Sequence, residues 1–329
     1  MPLNRIKLYR FAFGFRAQDP LQFSAFPGSA LRGGFGHALL KAVCLADPAA
    51  PSCSPCAFAP SCAYAAVFES PNTGDAEIMK KATHRPHPFA MAPLFRHPVL
   101  FAEGDIFEME LSLFGRGLSY LPHFIHAFER LGRMGLGRGR AKFFIQYVRN
   151  TVDGAAVYDE RTGINLAAAS PVPVCAETVP KKIKISFITP CRIRENGCDL
   201  RVPVLSSIVR NIARKYDTIC RFYGDEPSGL DRETLAESAV MAIMEGKELS
   251  WTSATRYSKR KAATMKLGGF TGWATYSGLL AAVYPLLKLG EVLQVGKNTS
   301  FGYGAIRIED CSRPRDSIWN LRALLKRSG

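Results

Sequence analysis

No apolar run in the chain approaches the ~20 residues that a membrane-spanning helix requires. There is no Gly-x4-Gly-Lys-Ser/Thr loop, and no Gly-x-Gly-x-x-Gly between a strand and a helix, so Walker-type and dinucleotide-binding sites are set aside. Acidic residues are scarce: 28 against 43 lysines and arginines, a net charge of +15 over 329 residues. A surplus of that size favours a polyanionic partner, nucleic acid or an anionic membrane, over a soluble protein that is simply basic. Residues 1–11 are interrupted by charge and do not read as a signal peptide. That predicts a cytoplasmic chain whose nine cysteines are reduced rather than paired. What the chain has in quantity is apolar material, 47 %, enough for packed cores and against global disorder.

The length predicts about two domains, and the patterning divides in the same way. Residues 5–15 read as a strand, with Ile6, Leu8, Phe11, Phe13 and Phe15 apolar. Residues 30–43 read as a helix, because Leu31, Phe35, Ala38, Leu39 and Ala42 fall on one face. A cysteine-rich loop covers 44–62, strand patterning 99–114, a helix 119–134 and a strand 142–149. This β-α-β-β-α-β-like order is that of a ferredoxin-like fold and defines a first module over residues 1–165. Residues 162–180, with Pro171, Pro173 and Pro180, read as a linker. A second module over 180–329 restarts with a strand at 181–189 and helices over 204–223 and 231–246. Paired strands at 249–258 and 269–277 and a short helix at 278–289 around Pro285 come next. Strands at 291–295 and 303–308 then flank a glycine-rich loop, and 315–327 form a basic helix. The expected fold class is α+β, two tandem ferredoxin-like modules.

The loop between those last strands is the densest motif. Gly296, Gly302 and Gly304 lie within nine residues, with Lys297, Asn298, Thr299 and Ser300 among them. Glycine permits positive φ and a close backbone approach, and freed amides beside Lys297 would suit a phosphate. The other reading is a glycine-rich hairpin turn with no ligand. A second glycine-rich basic segment, residues 132–140, occupies a comparable late position in the first half, which suggests two related modules although no strict repeat is present.

Residues 187–193 (Phe-Ile-Thr-Pro-Cys-Arg-Ile), 256–261 (Arg-Tyr-Ser-Lys-Arg-Lys), 267–272 (Leu-Gly-Gly-Phe-Thr-Gly) and the loop at 295–304 resemble the CRISPR repeat-RNA processing endoribonucleases of the RAMP superfamily. The stretch 31–39, Leu-Arg-Gly-Gly-Phe-Gly-His-Ala-Leu, is similar to the first helix of the bacterial branch that also carries a cysteine cluster. The resemblance implies two ferredoxin-like modules that bind the repeat hairpin of a precursor transcript and cut it once. The cut is by attack of a 2′-hydroxyl on the adjacent phosphate, with no metal ion in the chemistry. It also implies a product that stays bound and an association with other CRISPR effector subunits. The competing expectation is a RAMP protein that holds repeat RNA without cutting it, and a third is an RNA-binding zinc protein unrelated to CRISPR.

Such a cut needs a base for the 2′-hydroxyl proton, an acid for the leaving oxygen and a cation for the developing charge. His37 is the candidate base or acid, since histidine titrates near neutrality, and relatives often carry a catalytic histidine on this helix. Lys41, four residues on, projects to the same side and would stabilise charge; Arg32 would do likewise or bind a flanking phosphate. All three could equally form a solvated basic face. The expected RNA-binding set is Arg133, Arg138 and Arg140; Arg256, Lys259, Arg260 and Lys261; and Gly296, Lys297, Asn298 and Ser300, contacting phosphates first. Phe301 and Tyr303 would stack on a splayed base or pack in the core, and Tyr257 and Tyr303 are also supporting candidates.

Cys44, Cys53, Cys56 and Cys62 follow Cys-x8-Cys-x2-Cys-x5-Cys. Four thiolates in a loop too short to fold alone suggest a structural zinc, outside the chemistry. An iron–sulfur cluster or four free thiols are the alternatives.

Overall fold

Alternation in Leu8–Ala17 produces β1, the central strand of the first sheet, and buries Phe11, Phe13 and Phe15 on one of its faces. The computed structural model describes residues 3–23, 27–46, 53, 55–70, 85–95, 99–137, 139–174, 178–258 and 263–312. After β1 come β2 (Leu21–Phe23), α1 (Pro27–Val43), β3 (Phe89–Pro93), β4 (Val99–Phe101), β5 (Ile106–Phe114), α2 (Leu121–Met134), β6 (Phe143–Asn150), β7 (Ala156–Asp159) and β8 (Gly163–Ile164). The sheet runs β3-β5-β1-β6-β7-β8, while β2 and β4 pair apart from it.

The second half repeats the plan. It contains β9 (Lys182–Cys191), the small pair β10 (Arg194–Glu195) and β11 (Cys198–Asp199), α3 (Leu205–Tyr223), α4 (Arg232–Ser238), the long hairpin β12 (Ile243–Ser258) and β13 (Ala263–Ser277), α5 (Tyr284–Leu293) and β14 (Ile306–Asp310). Its sheet runs β12-β13-β9-β14. In both halves the four strands of the β-α-β-β-α-β unit therefore lie in the order second, third, first, fourth, and all pairings are antiparallel. The protein is an α+β fold of two tandem ferredoxin-like modules.

Each module buries its helices on one face of its sheet. In the first, rings dominate: Phe35 of α1 stacks on Phe124 of α2 at 4.6 Å between centroids and lies 5.2 Å from Phe128, which in turn meets Phe15 at 5.4 Å. Such pairs add about 0.5–1.5 kcal/mol each beyond the area they bury. The second core is aliphatic, with Ile183, Ile185, Ile208, Ile212, Leu286 and Ile306 fully buried. It also takes in Leu3, Ile6, Leu8, Ala90 and Phe114 from the first half. The Arg307 guanidinium and the Glu110 carboxylate, 2.5 Å apart, join β14 to β5 across the two sheets.

Several element assignments differ from those read in the sequence, and β3 is absent from that reading. Residues 231–246 are not one helix: α4 ends at Ser238 and β12 begins at Ile243, where pairing with β13 takes over. Residues 291–295 are not a strand, because α5 continues to Leu293 and stops at Gln294 in the left-handed region, φ 60°. Pro285 starts that helix from its first turn, where a missing N–H costs nothing. The basic helix expected at 315–327 lies outside the described residues.

Candidate active site

The stacking of Phe35 on Phe124 fixes how α1 is rotated. Two residues further on, the helix has turned by about 200°, so His37 is exposed, with Gly33 one turn before it and Lys41 one turn after on the same open stripe. The His37 imidazole is held below its ordinary pKa by desolvation, by Lys41, and by Arg130 reaching from α2. The shift favours the neutral imidazole, the form that accepts a proton. Arg130 was not among the residues singled out in the sequence. Its helix is distant in the chain, and only the packing of α2 on α1 brings it to His37.

The glycines of α1 are mostly contact points. A Cβ on Gly34 would stand 2.7 Å from Leu131 Cδ1, one on Gly36 2.3 Å from the Phe68 ring, and one on Gly28 2.0 Å from the Phe301 carbonyl oxygen. Only Gly33 among the helix's exposed glycines has open space above it, with no atom within 4 Å of that position. Arg32, expected to face a phosphate, is instead 9 % exposed. Its guanidinium carbon lies 4.2 Å from the centroid of Phe68 and 4.1 Å from that of Phe301, and its Nη2 is 3.0 Å from His87 Nε2.

The glycine-rich loop is tightly folded. Gln294 and Asn298 adopt positive φ together with Gly296, Gly302 and Gly304. The amides expected to be free for an anion are largely committed. Gly296 N–H donates to Asn211 Oδ1 at 2.8 Å, Lys297 N–H to the Arg192 carbonyl at 2.9 Å, and Gly304 N–H to the Pro190 carbonyl at 3.0 Å. Phe301, Gly302 and Tyr303 donate to carbonyls within the loop itself. Lys215 sits beneath, donating to the Leu293 carbonyl and to Thr299 Oγ1, and burial pushes its amine down to about 7. Ser300 and Tyr303 are buried, and Phe301 packs against Arg32, so these side chains serve the loop's own structure. Lys297 and Asn298 remain the partly exposed polar groups at its tip.

Of the other expected contacts, Arg133 is exposed in the last turn of α2 and Arg140 in the segment that leaves it, which occupies the same place in its module as the glycine-rich loop in the second. Arg256 lies on β12 opposite Met265. Arg138 and Lys259, Arg260 and Lys261 lie outside the described residues. A further basic group escaped the sequence reading: Arg194, Arg210 and Arg214 line a cavity of about 360 Å³ with Asn211, the residue that holds Gly296. The spacing of Arg210 and Arg214, four apart on α3, was the available signal. Between the modules runs a larger cleft of about 650 Å³, bordered by Gly28, Thr189, Trp273, Phe301 and Tyr303.

The four cysteines come together at the end of α1. Cys44, Cys53, Cys56 and Cys62 line one cavity of about 190 Å³, and His123 of α2 joins them there. The Cys56 N–H donates to the Cys53 carbonyl at 3.2 Å, closing the Cys-x2-Cys turn. Burial, Glu69 and the other three cysteines together push the Cys53 thiol up to about 11, so as thiolates these groups would repel one another unless a cation lay among them. The donor chemistry fits a soft divalent metal. The arrangement is nonetheless open: among the described residues no group of three or more histidine, cysteine, aspartate or glutamate side chains is set to hold an ion. No described helix is long and apolar enough to cross a membrane.

Residues 185–306 match the family model of the CRISPR-associated endoribonuclease Cas6, and residues 6–170 match a model described as an N-terminal domain. An uncharacterized protein of Archaeoglobus fulgidus is 30 % identical over 289 residues, covering 86 % of this chain and 91 % of that one. Among solved structures, Thermus thermophilus Cas6 is similar with a TM-score of 0.55 at 15 % identity, over 92 % of this chain and 99 % of that chain. A chain of a partial Cas6-RT-Cas1–Cas2 complex is similar with a TM-score of 0.57 at 13 % identity, over 95 % of this chain and 48 % of that longer one.

Proposed function

The chain belongs to the CRISPR-associated endoribonuclease Cas6 family of RAMP proteins, and from that premise we propose that it binds the stem-loop of a CRISPR repeat RNA and cuts it by 2′-hydroxyl transesterification without a catalytic metal. The observation that carries this reading is His37: exposed, flanked by Lys41 and Arg130, and held below its ordinary pKa by desolvation and by both of these cations. His37 accepts the 2′-hydroxyl proton. The 2′-oxygen then bonds to phosphorus as the bond from phosphorus to the 5′-oxygen breaks, leaving a 2′,3′-cyclic phosphate and, after proton uptake, a 5′-hydroxyl. Lys41 and Arg130 stabilise the charge that builds on the phosphate oxygens. Lys297 and Asn298 at the loop tip, with Arg133, Arg140 and the Arg194–Arg210–Arg214 group, supply cations for the backbone of an A-form stem. Other CRISPR effector proteins are its proposed partners.

For the cysteine cavity the same reading assigns a structural zinc, held by Cys44, Cys53, Cys56 and Cys62, that would tie the end of α1 to the loop beyond it. It takes no part in the cut.

The test is repeat RNA incubated with the protein in EDTA. A product ending in a cyclic phosphate, lost in His37→Ala while RNA binding persists, is the expected result. A bound but uncut RNA with the wild-type protein would favour a non-catalytic RNA-holding subunit, and cleavage by His37→Ala at the wild-type rate would remove His37 from the mechanism.

A further inference from the structure

Arg32 and Lys41 are the lysine and arginine residues of α1, and they point in opposite senses: Lys41 to solvent, Arg32 into the protein. Around the Arg32 guanidinium three separate segments meet. Phe68 belongs to the turn that follows the cysteine cluster, and its ring also abuts Gly36. His87 leads into β3; its Nε2 faces Arg32 and its Nδ1 lies 3.2 Å from Ser70 Oγ. Ser70 is buried and holds a left-handed φ of 44° at the end of the Phe68 turn. The third segment is Phe301, on the glycine-rich loop of the other module. Next to that contact Gly28 lets the start of α1 touch the Phe301 carbonyl directly.

A planar, weakly hydrated cation is the group that can stack on two rings and still reach a ring nitrogen at its edge; an ammonium cannot do all three. Arg32 is five residues, or about 7.5 Å of helix, from His37. Resting on the function proposed above, we propose that Arg32 is a positioning residue: it locks the glycine-rich loop of the second module to the helix that carries His37, so that RNA held by the loop meets the imidazole in register. It reaches no substrate itself. The two halves of the site sit on different modules, and a rotation between them would leave both intact yet misaligned, which is the error that most reduces the rate of a reaction dependent on orientation.

The experiment compares Arg32→Lys, Phe301→Leu and the double variant for thermal unfolding, RNA Kd and single-turnover cleavage at saturating protein. The expected result is a folded Arg32→Lys protein with RNA Kd within threefold of wild type and a cleavage rate at least tenfold lower. Phe301→Leu should show a similar loss, and the double variant should lose little more than either alone, since both break one contact. An unchanged saturating rate in Arg32→Lys, or losses that multiply in the double variant, would overturn the proposal and leave Arg32 as ordinary packing. Should Arg32→Lys fail to fold, Phe301→Leu carries the same comparison. Failure of the parent reading is recognised separately, by a wild-type protein that does not cut or a His37→Ala protein that does.

Discussion

Replacing Gly304 by alanine should destabilise the protein by about 3 kcal/mol, through two contributions that the loop geometry defines. Gly304 sits at φ 76°, where a residue with a Cβ costs about 1–2 kcal/mol. The new Cβ would stand 1.8 Å from the Val295 carbonyl oxygen, 2.8 Å from its carbon and 3.0 Å from its nitrogen. All three are backbone atoms, so no rotamer change relieves the clash. The segment after α5 and the segment before β14 must part, and the Val295 N–H to Gly304 carbonyl bond at 2.8 Å lies in the way. Leaving a buried amide without its partner costs about 1–3 kcal/mol. Gly33→Ala is the control: it has open space and lies inside a helix, so it should gain about 0.5–1 kcal/mol. Urea unfolding of both variants, read as a change in midpoint at constant slope, gives the difference directly. A Gly304→Ala protein within about 1 kcal/mol of wild type would refute this account of the loop.

Two further outcomes are expected. The apparent second-order cleavage rate, kcat/KM, should rise with pH as His37 of the free protein loses its proton, with a midpoint below 6.5, because desolvation and its cationic neighbours all disfavour the imidazolium; a flat profile would exclude His37 as the base. Purified protein should carry about one zinc per chain by elemental analysis, lost in Cys56→Ser together with several degrees of thermal stability. Metal-free protein of full stability would mean free thiols, and iron with visible absorbance would mean a cluster.

Much of the fold was legible because local pattern and tertiary demand agree there. The apolar stripe Leu31, Phe35, Ala38, Leu39 and Ala42 gave α1; the first four are buried and Ala42 is half-buried. The β-α-β-β-α-β order was read in the first half, although its second strand, β3, was not itself recognised, and the exposure of His37 had to come from the structure. Where the reading failed, a distant neighbour decided. Val240, Met241 and Ile243 continue an apolar pattern past α4 yet are about two-thirds exposed (66 %, 66 % and 65 %), because the chain has already turned toward its long pairing with β13. Glu291 sits in an alternating run that suggests a strand, but its carboxylate accepts the Ile308 N–H at 2.8 Å from within a helix. Arg32 looked like part of a basic surface because nothing local announces Phe301, far away in sequence, as its stacking partner. Gly34 and Gly36 of α1 are seats for Leu131 and Phe68, partners that nothing local announces either.

The membership of Leu3 and Ile6 in the second core has a consequence for biosynthesis. These side chains are synthesised well before Ile183, Ile208 and the rest of that core. The strand β1 can finish its own sheet during translation, but the residues just before it must wait in water until the second module follows. That interval exposes greasy surface to chaperones and to neighbouring nascent chains, and it makes completion of the second module, not the first, the step that covers these residues.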